Sequence, residues 1–228
     1  MRLIEGLLKP TYSESHRETG CTKTSLAPFV PVVPSRPWYL PIKAVVEYVV
    51  ALILFVLTAP LILLGAILIK LTSPGPAFYL QTRLGKDRKY FRMIKLRTMI
   101  HNAEAKTGPI WAQQGDPRIT RIGRILRKTH IDEFPQLLNV LMGEMSLIGP
   151  RPERPEIAST LSCELERYEE RLRVRPGISG LAQLRLPPDT DFESVRKKLA
   201  YDLYYVQCVN PWLDLKLVIF TAWRFVES

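Results

Sequence analysis

The sequence predicts an α+β fold, mainly helical, for a membrane-associated single domain. Three observations carry that prediction. From Val49 to Ile69 no charge interrupts VVALILFVLTAPLILLGAILI, a run long enough to cross a hydrocarbon core as a helix. Two β-prone segments flank a glycine turn and supply strands. Several later stretches repeat apolar residues at helical spacing.

The elements follow in chain order. Residues 1–41 read as an N-terminal extension. Its start, MRLIEGLLKP, lacks the apolar run and small-residue cleavage site of a signal peptide. The stretch PFVPVVPSRPWYLP is too proline-rich for regular helix or central strand. The membrane helix occupies 42–72. Pro60 cannot donate to the Val56 carbonyl, so a kink is expected there. Two geometries stay open at this point: a kinked helix that crosses the bilayer, and one that turns back so that both ends face one side. Behind it, Lys70, Arg83, Lys86, Arg88, Lys89, Arg92, Lys95 and Arg97 face only Asp87, which places the C-terminal side in the cytoplasm.

SPGP (Ser73 to Pro76) breaks the helix. AFYLQTR and KYFRMIKLR, around Leu84–Asp87, read as a β-hairpin. After Thr98 the pattern turns helical, with Arg118, Arg121, Arg124 and Arg127 on one face and apolar residues largely opposite. EFPQLLNVLM is a second helix, stopped at Gly143. GPRPERPE is a loop, residues 157–174 repeat apolar positions, and RPGISG is a turn. Phe192, Val195, Leu199, Leu203 and Val206 mark an amphipathic helix. The tail WLDLKLVIFTAWRFV is too short to span. Trp212 and Trp223 near its ends suit the membrane interface.

The 228 residues carry a formal net charge of +10. That balance asks for a polyanionic partner: an anionic membrane surface, a phosphorylated substrate or nucleic acid. No helix-turn-helix or aromatic-rich nucleic-acid motif supports the last. Cys21, Cys163 and Cys208 lie far apart and read as free thiols in a reducing compartment. His16, His101 and His130 are isolated, and no Walker loop or dinucleotide-binding glycine pattern is present.

Asp132 and Glu133 stand side by side in KTHIDEFPQ. Adjacent helical residues point roughly 100° apart, which argues against the paired carboxyls of a glycosidase. Pro135 suits a first helical turn, so Asp132 falls where an N-cap belongs, with Glu133 complementing the dipole. The same geometry allows chemistry. Free N–H groups and upstream arginines would neutralise a phosphate. A carboxylate placed there can attack phosphorus, with a hard divalent cation between carboxylate and diphosphate. Pro150 and Pro152 flank Arg151 and aim one guanidinium as an anion clamp. Arg175, before a Pro-Gly turn, raises the same possibility.

KLRTM (Lys95 to Met99), DPRITRIGRILRKTHIDEFPQLLNVLMGEMSLIGPRP (Asp116 to Pro152), RVRPGISGLAQL (Arg173 to Leu184), AYDLYYV (Ala200 to Val206) and WLDLK (Trp212 to Lys216) resemble the bacterial sugar transferases, the monotopic phosphoglycosyl transferases. The resemblance runs from about Ile42 to near the C-terminus. It implies transfer of a phosphosugar from a UDP-sugar to polyprenyl phosphate at the cytoplasmic face of the bacterial inner membrane, with release of UMP. It implies Asp132 as nucleophile, Glu133 assisting with Mg²⁺, and Arg151 on phosphate. Arg127 and Arg175 follow as further phosphate or nucleotide contacts. The domain from 73 to 228 is then catalytic, with an interfacial C-terminal helix. The resemblance also implies a re-entrant membrane helix that breaks at a Ser-Pro pair. Here the pair is Ala59-Pro60, with Thr58 as the neighbouring hydroxyl. After Gln183 relatives carry a Gly-Arg element where this chain reads LRLPPDT. The competing function class is a non-catalytic membrane scaffold that binds anionic lipid or nucleic acid.

Overall fold

A computed structural model describes residues 32–103, 115–187 and 192–227. Most of the extension, the segment 104–114 that the helical pattern was expected to include, and residues 188–191, with the end of LRLPPDT, lie outside them. The first element, α1, runs Tyr39–Thr72, a helix of 34 residues with Pro60 inside it. It begins three residues before the expected 42. Val32 and Tyr39 join the core instead of trailing from it.

One stripe of α1 faces the protein: Tyr39, Lys43, Ala51, Ile62, Gly65 and Ile69 are buried, spaced by multiples of a helical turn. Only 17% of its most apolar stretch is buried. The rest of its apolar surface stands open, unlike that of a buried core helix. The two charges near its start face inward. Lys43 Nζ donates to Asp214 Oδ2 at 2.7 Å and to the Ile148 carbonyl at 2.9 Å. Glu47 accepts from the Ser146 hydroxyl at 2.6 Å. Thr58 donates to the Leu54 carbonyl at 2.8 Å, so its hydroxyl does not serve the Val56 carbonyl that Pro60 leaves free.

The hairpin pairs β1 (Phe78–Leu84) with β2 (Tyr90–Leu96), antiparallel, Phe78 opposite Leu96 and Leu84 opposite Tyr90. The left-handed residues of its turn are Asp87 and Arg88 rather than Gly85. Two further strands, β3 (Ser146–Ile148) and β4 (Gly177–Ser179), pair in parallel. The sequence reading missed this sheet, because three-residue strands show no alternation. β4 lies in the expected RPGISG turn.

Helix α2 (Arg121–Lys128) starts later than the arginine row suggested. Thr120 caps it, accepting from the Gly123 N–H at 2.9 Å. Arg118 lies outside the helix, in an ion pair with Asp116 at 2.6 Å. After α3 (Gln136–Leu141), Gly143 takes φ +75 and ends the helix, as its position predicted. α4 (Pro155–Glu164) gives way, through left-handed Arg167, to a 3-10 turn at Tyr168–Arg173. A short α5 (Leu181–Arg185) went unpredicted. α6 (Phe192–Cys208) and α7 (Pro211–Glu227) match the two expected C-terminal helices.

One buried amide ties the hairpin to α3. Asn139 Oδ1 accepts from the Ile94 N–H at 3.0 Å, while Nδ2 donates to the Arg92 carbonyl at 2.8 Å and to Glu144 at 2.7 Å. Truncation leaves two β2 backbone groups unpaired in the interior. Asn139→Ala is expected to lower unfolding free energy by about 3 kcal/mol. Urea denaturation in detergent measures this, and a loss below about 1 kcal/mol would contradict the staple.

Candidate active site

β2 sets the first wall of the site. Phe91 and Met93 alternate into the core, and Lys95 follows on the same face. Lys95 Nζ meets Glu133 Oε1 at 2.8 Å. The strand leads to Thr98, whose hydroxyl accepts from Arg127 Nε at 2.9 Å. Gly123 lets α2 approach there, since a Cβ would overlap the Thr98 carbonyl.

His130, left-handed at φ 54, turns the chain after α2. Ile131–Glu133 then makes one 3-10 turn before α3 begins at Gln136. Asp132 therefore is not an N-cap; Pro135 holds that position and α3 has no side-chain cap. Much of the expected row of free N–H groups is also occupied. Those of Glu133, Phe134, Leu137 and Leu138 are each taken by a carbonyl three residues back. A phosphate held here would lean more on cationic side chains than on this helix start.

Those side chains divide the two acids. Glu133 Oε1 accepts from both Lys95 and Arg151, the latter at 2.6 Å. Burial pushes this carboxyl up, but Arg151 and Lys95 overcome it and hold it well below the usual carboxylate range. Asp132 has no such partner. It is 7% exposed, and its Oδ1 is buried without a hydrogen bond. Burial, then the Glu133 charge, raises its pKa to about 6 against the opposing pull of Lys95, Arg127 and His130.

The Pro150–Pro152 segment forms the opposite wall. Gly149 before it packs so closely that a Cβ would strike the Arg175 carbonyl and Gly177. Three successive carbonyls are pinned. That of Pro150 accepts from Gly177 N–H at 2.9 Å, that of Arg151 from Arg171 Nη2 at 2.7 Å, and that of Pro152 from Arg83 Nη1 at 3.1 Å. Arg151 keeps a 42% exposed side chain on this fixed backbone. Both prolines are buried.

Of the sequence-predicted residues, Asp132, Glu133 and Arg151 come together, and Arg127 acts electrostatically on Asp132. Arg175 does not join them. It lines a separate cavity of about 340 Å³ with Lys43, Glu47, Lys86 and Tyr205. Lys95 was missed as a site residue. Its signal was a lysine in register with the buried face of a strand.

Among the described residues no three His, Cys, Asp or Glu side chains converge on a metal position. The donor set still fits a magnesium ion, which takes one or two carboxylates and fills its octahedron with phosphate oxygens and water. Asp132 Oδ1 is the orphaned oxygen it would meet. Both recorded bonds to Glu133 fall on Oε1.

The sequence model of a family described as "Bacterial sugar transferase" matches residues 38–228. The chain belongs to this family. Among curated relatives it is 45% identical over 190 residues to a UDP-N-acetylgalactosamine-undecaprenyl-phosphate N-acetylgalactosaminephosphotransferase of Aeromonas hydrophila. That alignment covers 83% of this chain and 44% of the relative. It is 48% identical over 182 residues to a UDP-glucose:undecaprenyl-phosphate glucose-1-phosphate transferase of Caulobacter vibrioides, covering 79% and 68%. It is 44% identical over 169 residues to the exopolysaccharide production protein PSS of Rhizobium leguminosarum, covering 72% and 84%. The chain thus spans less than half of the Aeromonas protein and larger shares of the other two. The acid pair, Arg151 and both prolines all fall inside the family-matched region.

A carboxyl titration followed by carbon NMR, compared with Asp132→Asn, is expected to put the Asp132 midpoint at about 6. Below that pH the carboxyl is protonated and uncharged. A midpoint in the ordinary aspartate range would contradict the desolvated site.

Proposed function

We propose that this sugar transferase moves a sugar 1-phosphate from a UDP-sugar to polyprenyl phosphate, releasing UMP and starting surface polysaccharide or glycoconjugate synthesis. The names of the relatives support the substrate classes. One observation supports the chemistry above others. A buried carboxylate oxygen without a partner stands beside a carboxylate neutralised by two cations.

In this reading an Asp132 oxygen attacks the sugar-bearing phosphorus. The bond from that phosphorus to the bridging oxygen breaks, and UMP departs with the electron pair. The aspartyl phosphosugar is then attacked by a phosphate oxygen of the lipid, which forms the polyprenyl diphosphate sugar and restores the Asp132 carboxylate. Arg151 and Arg127 offset phosphate charge. Lys95 holds Glu133 in place while leaving Oε2 for a cation. Mg²⁺ would rest on Asp132 and Glu133 and supply Lewis-acid stabilisation of phosphate charge when bound. Arg175 is left out of this first ring of contacts.

The exposed faces of α1 and α7 support a seat in an anionic membrane. On α7, Trp212, Leu215, Ile219, Phe220 and Trp223 stand exposed. We read α1 as re-entrant, with the domain on the cytoplasmic face of the inner membrane.

UMP release from UDP-sugars, with polyprenyl phosphate and Mg²⁺, tests the reaction. Asp132→Asn is expected to lose at least about a thousandfold in turnover while keeping its melting temperature. kcat/KM should fall as pH drops through about 6, because Asp132 protonates there. Near-normal turnover in a folded Asp132→Asn protein would defeat the nucleophile. UMP formed only when both substrates are present would favour direct transfer, with Asp132 reduced to holding the cation. No UMP from any UDP-sugar, with binding that weakens steeply in salt, would return the scaffold reading. For the membrane seat, single cysteines replacing Arg36 and Lys70 should both label from the cytoplasmic side in oriented vesicles. Labelling from opposite sides would establish a spanning helix.

A further inference from the structure

Two of the three pinned carbonyls of the Pro150–Pro152 segment are held by β-strand residues that lie alongside it. The third is different. The Arg151 carbonyl is held by the side chain of Arg171, from the 3-10 turn at Tyr168–Arg173. Arg171 is 9% exposed, and all three of its guanidinium nitrogens are used. Nε donates to Asp202 Oδ2 at 2.9 Å, Nη1 to the Tyr168 hydroxyl at 3.0 Å, and Nη2 lies 2.7 Å from both Asp202 Oδ2 and the Arg151 carbonyl. Asp202 is 4% exposed, on the inner face of α6.

A buried ion pair is a poor device for stability alone, because desolvation cancels most of the Coulomb gain and apolar residues of equal volume serve as well. This pair does something an apolar pair cannot. It gives a backbone carbonyl a rigid, charge-assisted donor at the residue whose side chain must project into solvent with a fixed aim. The Arg151 guanidinium reaches Glu133 through a single Nη2 contact. With only one such contact, the place of its backbone becomes the other determinant of where the guanidinium points.

We propose that Arg171 and Asp202 are positioning residues for Arg151: their ion pair grips the Arg151 carbonyl from α6 and aims its guanidinium at the phosphate site beside Glu133. Neither side chain touches the reacting atoms. The proposal rests on the reading of Arg151 as a phosphate clamp. A loss of aim acts on the phosphate-bearing states that Arg151 binds, so it moves kcat/KM for the UDP-sugar without requiring a loss of fold.

A double-mutant cycle tests it, using the full chain in detergent or vesicles, UMP release as activity, and thermal melting as fold. Arg151→Ala is measured first; if it keeps full activity, the clamp reading fails and this inference falls with it. Given a large Arg151→Ala loss, Asp202→Asn and Arg171→Lys are each expected to lower kcat/KM about tenfold in the parent. In the Arg151→Ala background the same changes should cost less than about twofold, because the residue they aim is gone. Arg171→Lys keeps the charge opposite Asp202 but lacks the fork that spans to the carbonyl. It should melt within a few degrees of the parent and still lose activity. Equal, additive losses in both backgrounds would assign the pair to general structure and overturn the proposal while leaving the clamp intact. So would failure of both variants to fold when Arg151→Ala folds.

Discussion

The backbone between Ile148 and Pro152 is the constraint on which the rest of the site depends. Its carbonyls are held by donors from separate parts of the chain: Lys43 of α1 on Ile148, Gly177 of β4 on Pro150, Arg171 on Arg151 and Arg83 of β1 on Pro152. A loop would ordinarily satisfy such groups with water and keep its freedom. Here the freedom is removed, and proline on either side of Arg151 removes more. What remains is one long side chain with a fixed origin, paired to Glu133. The long apolar helix, both small sheets and the 3-10 turn all contribute to that one outcome, so the architecture and the site cannot be separated.

The same economy of charge explains how adjacent acids take opposite characters. Glu133 and Asp132 share a turn and similar depth. Two cations land on one oxygen of Glu133, so burial loses to pairing and the group stays ionised. Asp132 meets the same cations only at longer range, so burial wins and its pKa rises to about 6. A carboxylate that is poorly solvated, unpaired and close to neutral pH is a better nucleophile than one locked in ion pairs. The positions of Lys95 and Arg151, rather than any intrinsic difference between the acids, assign the roles proposed above.

Periodicity made the long elements legible. The apolar run gave α1, β-prone segments around a glycine turn gave the hairpin, the helical repeat gave α6, and an apolar tail with tryptophans near its ends gave α7. Proline on both sides singled out Arg151, and adjacency singled out Asp132 and Glu133; the structure brings these three together. What failed was local and short. β3 and β4 are three residues each and are held by glycine close approach rather than by side-chain pattern. The Asp132 cap looked sound because Pro135 does stand at a helix start, yet left-handed His130 inserts a 3-10 turn that no residue type announced. Arg175 sits in a persuasive basic motif, but its side chain turns into another cavity. The Arg171–Asp202 link joins residues 31 apart in sequence, a distance over which spacing carries no signal.

The docking of α1 bears on how the protein meets lipid. At its start, Tyr39 and Lys43 bond Asp214 of α7. Near its end, Gly65 and Ile69 lie against Leu96 and Leu126. As a straight rod, 34 residues would extend about 51 Å, well beyond a hydrocarbon core of about 30 Å. If α1 crossed such a core, these two docking regions would lie on opposite faces, and the domain that touches both would have to pass through lipid. The hairpin between them carries Lys86, Arg88 and Lys89, whose burial in hydrocarbon is costly. A helix that entered and returned, as proposed above, would remove the conflict: both docking regions would stay in one aqueous layer while the outward apolar face dipped into the bilayer. The acid pair, packed between the C-terminal half of α1 and β2, would then face headgroup depth, where a lipid-borne phosphate could reach it without leaving the membrane.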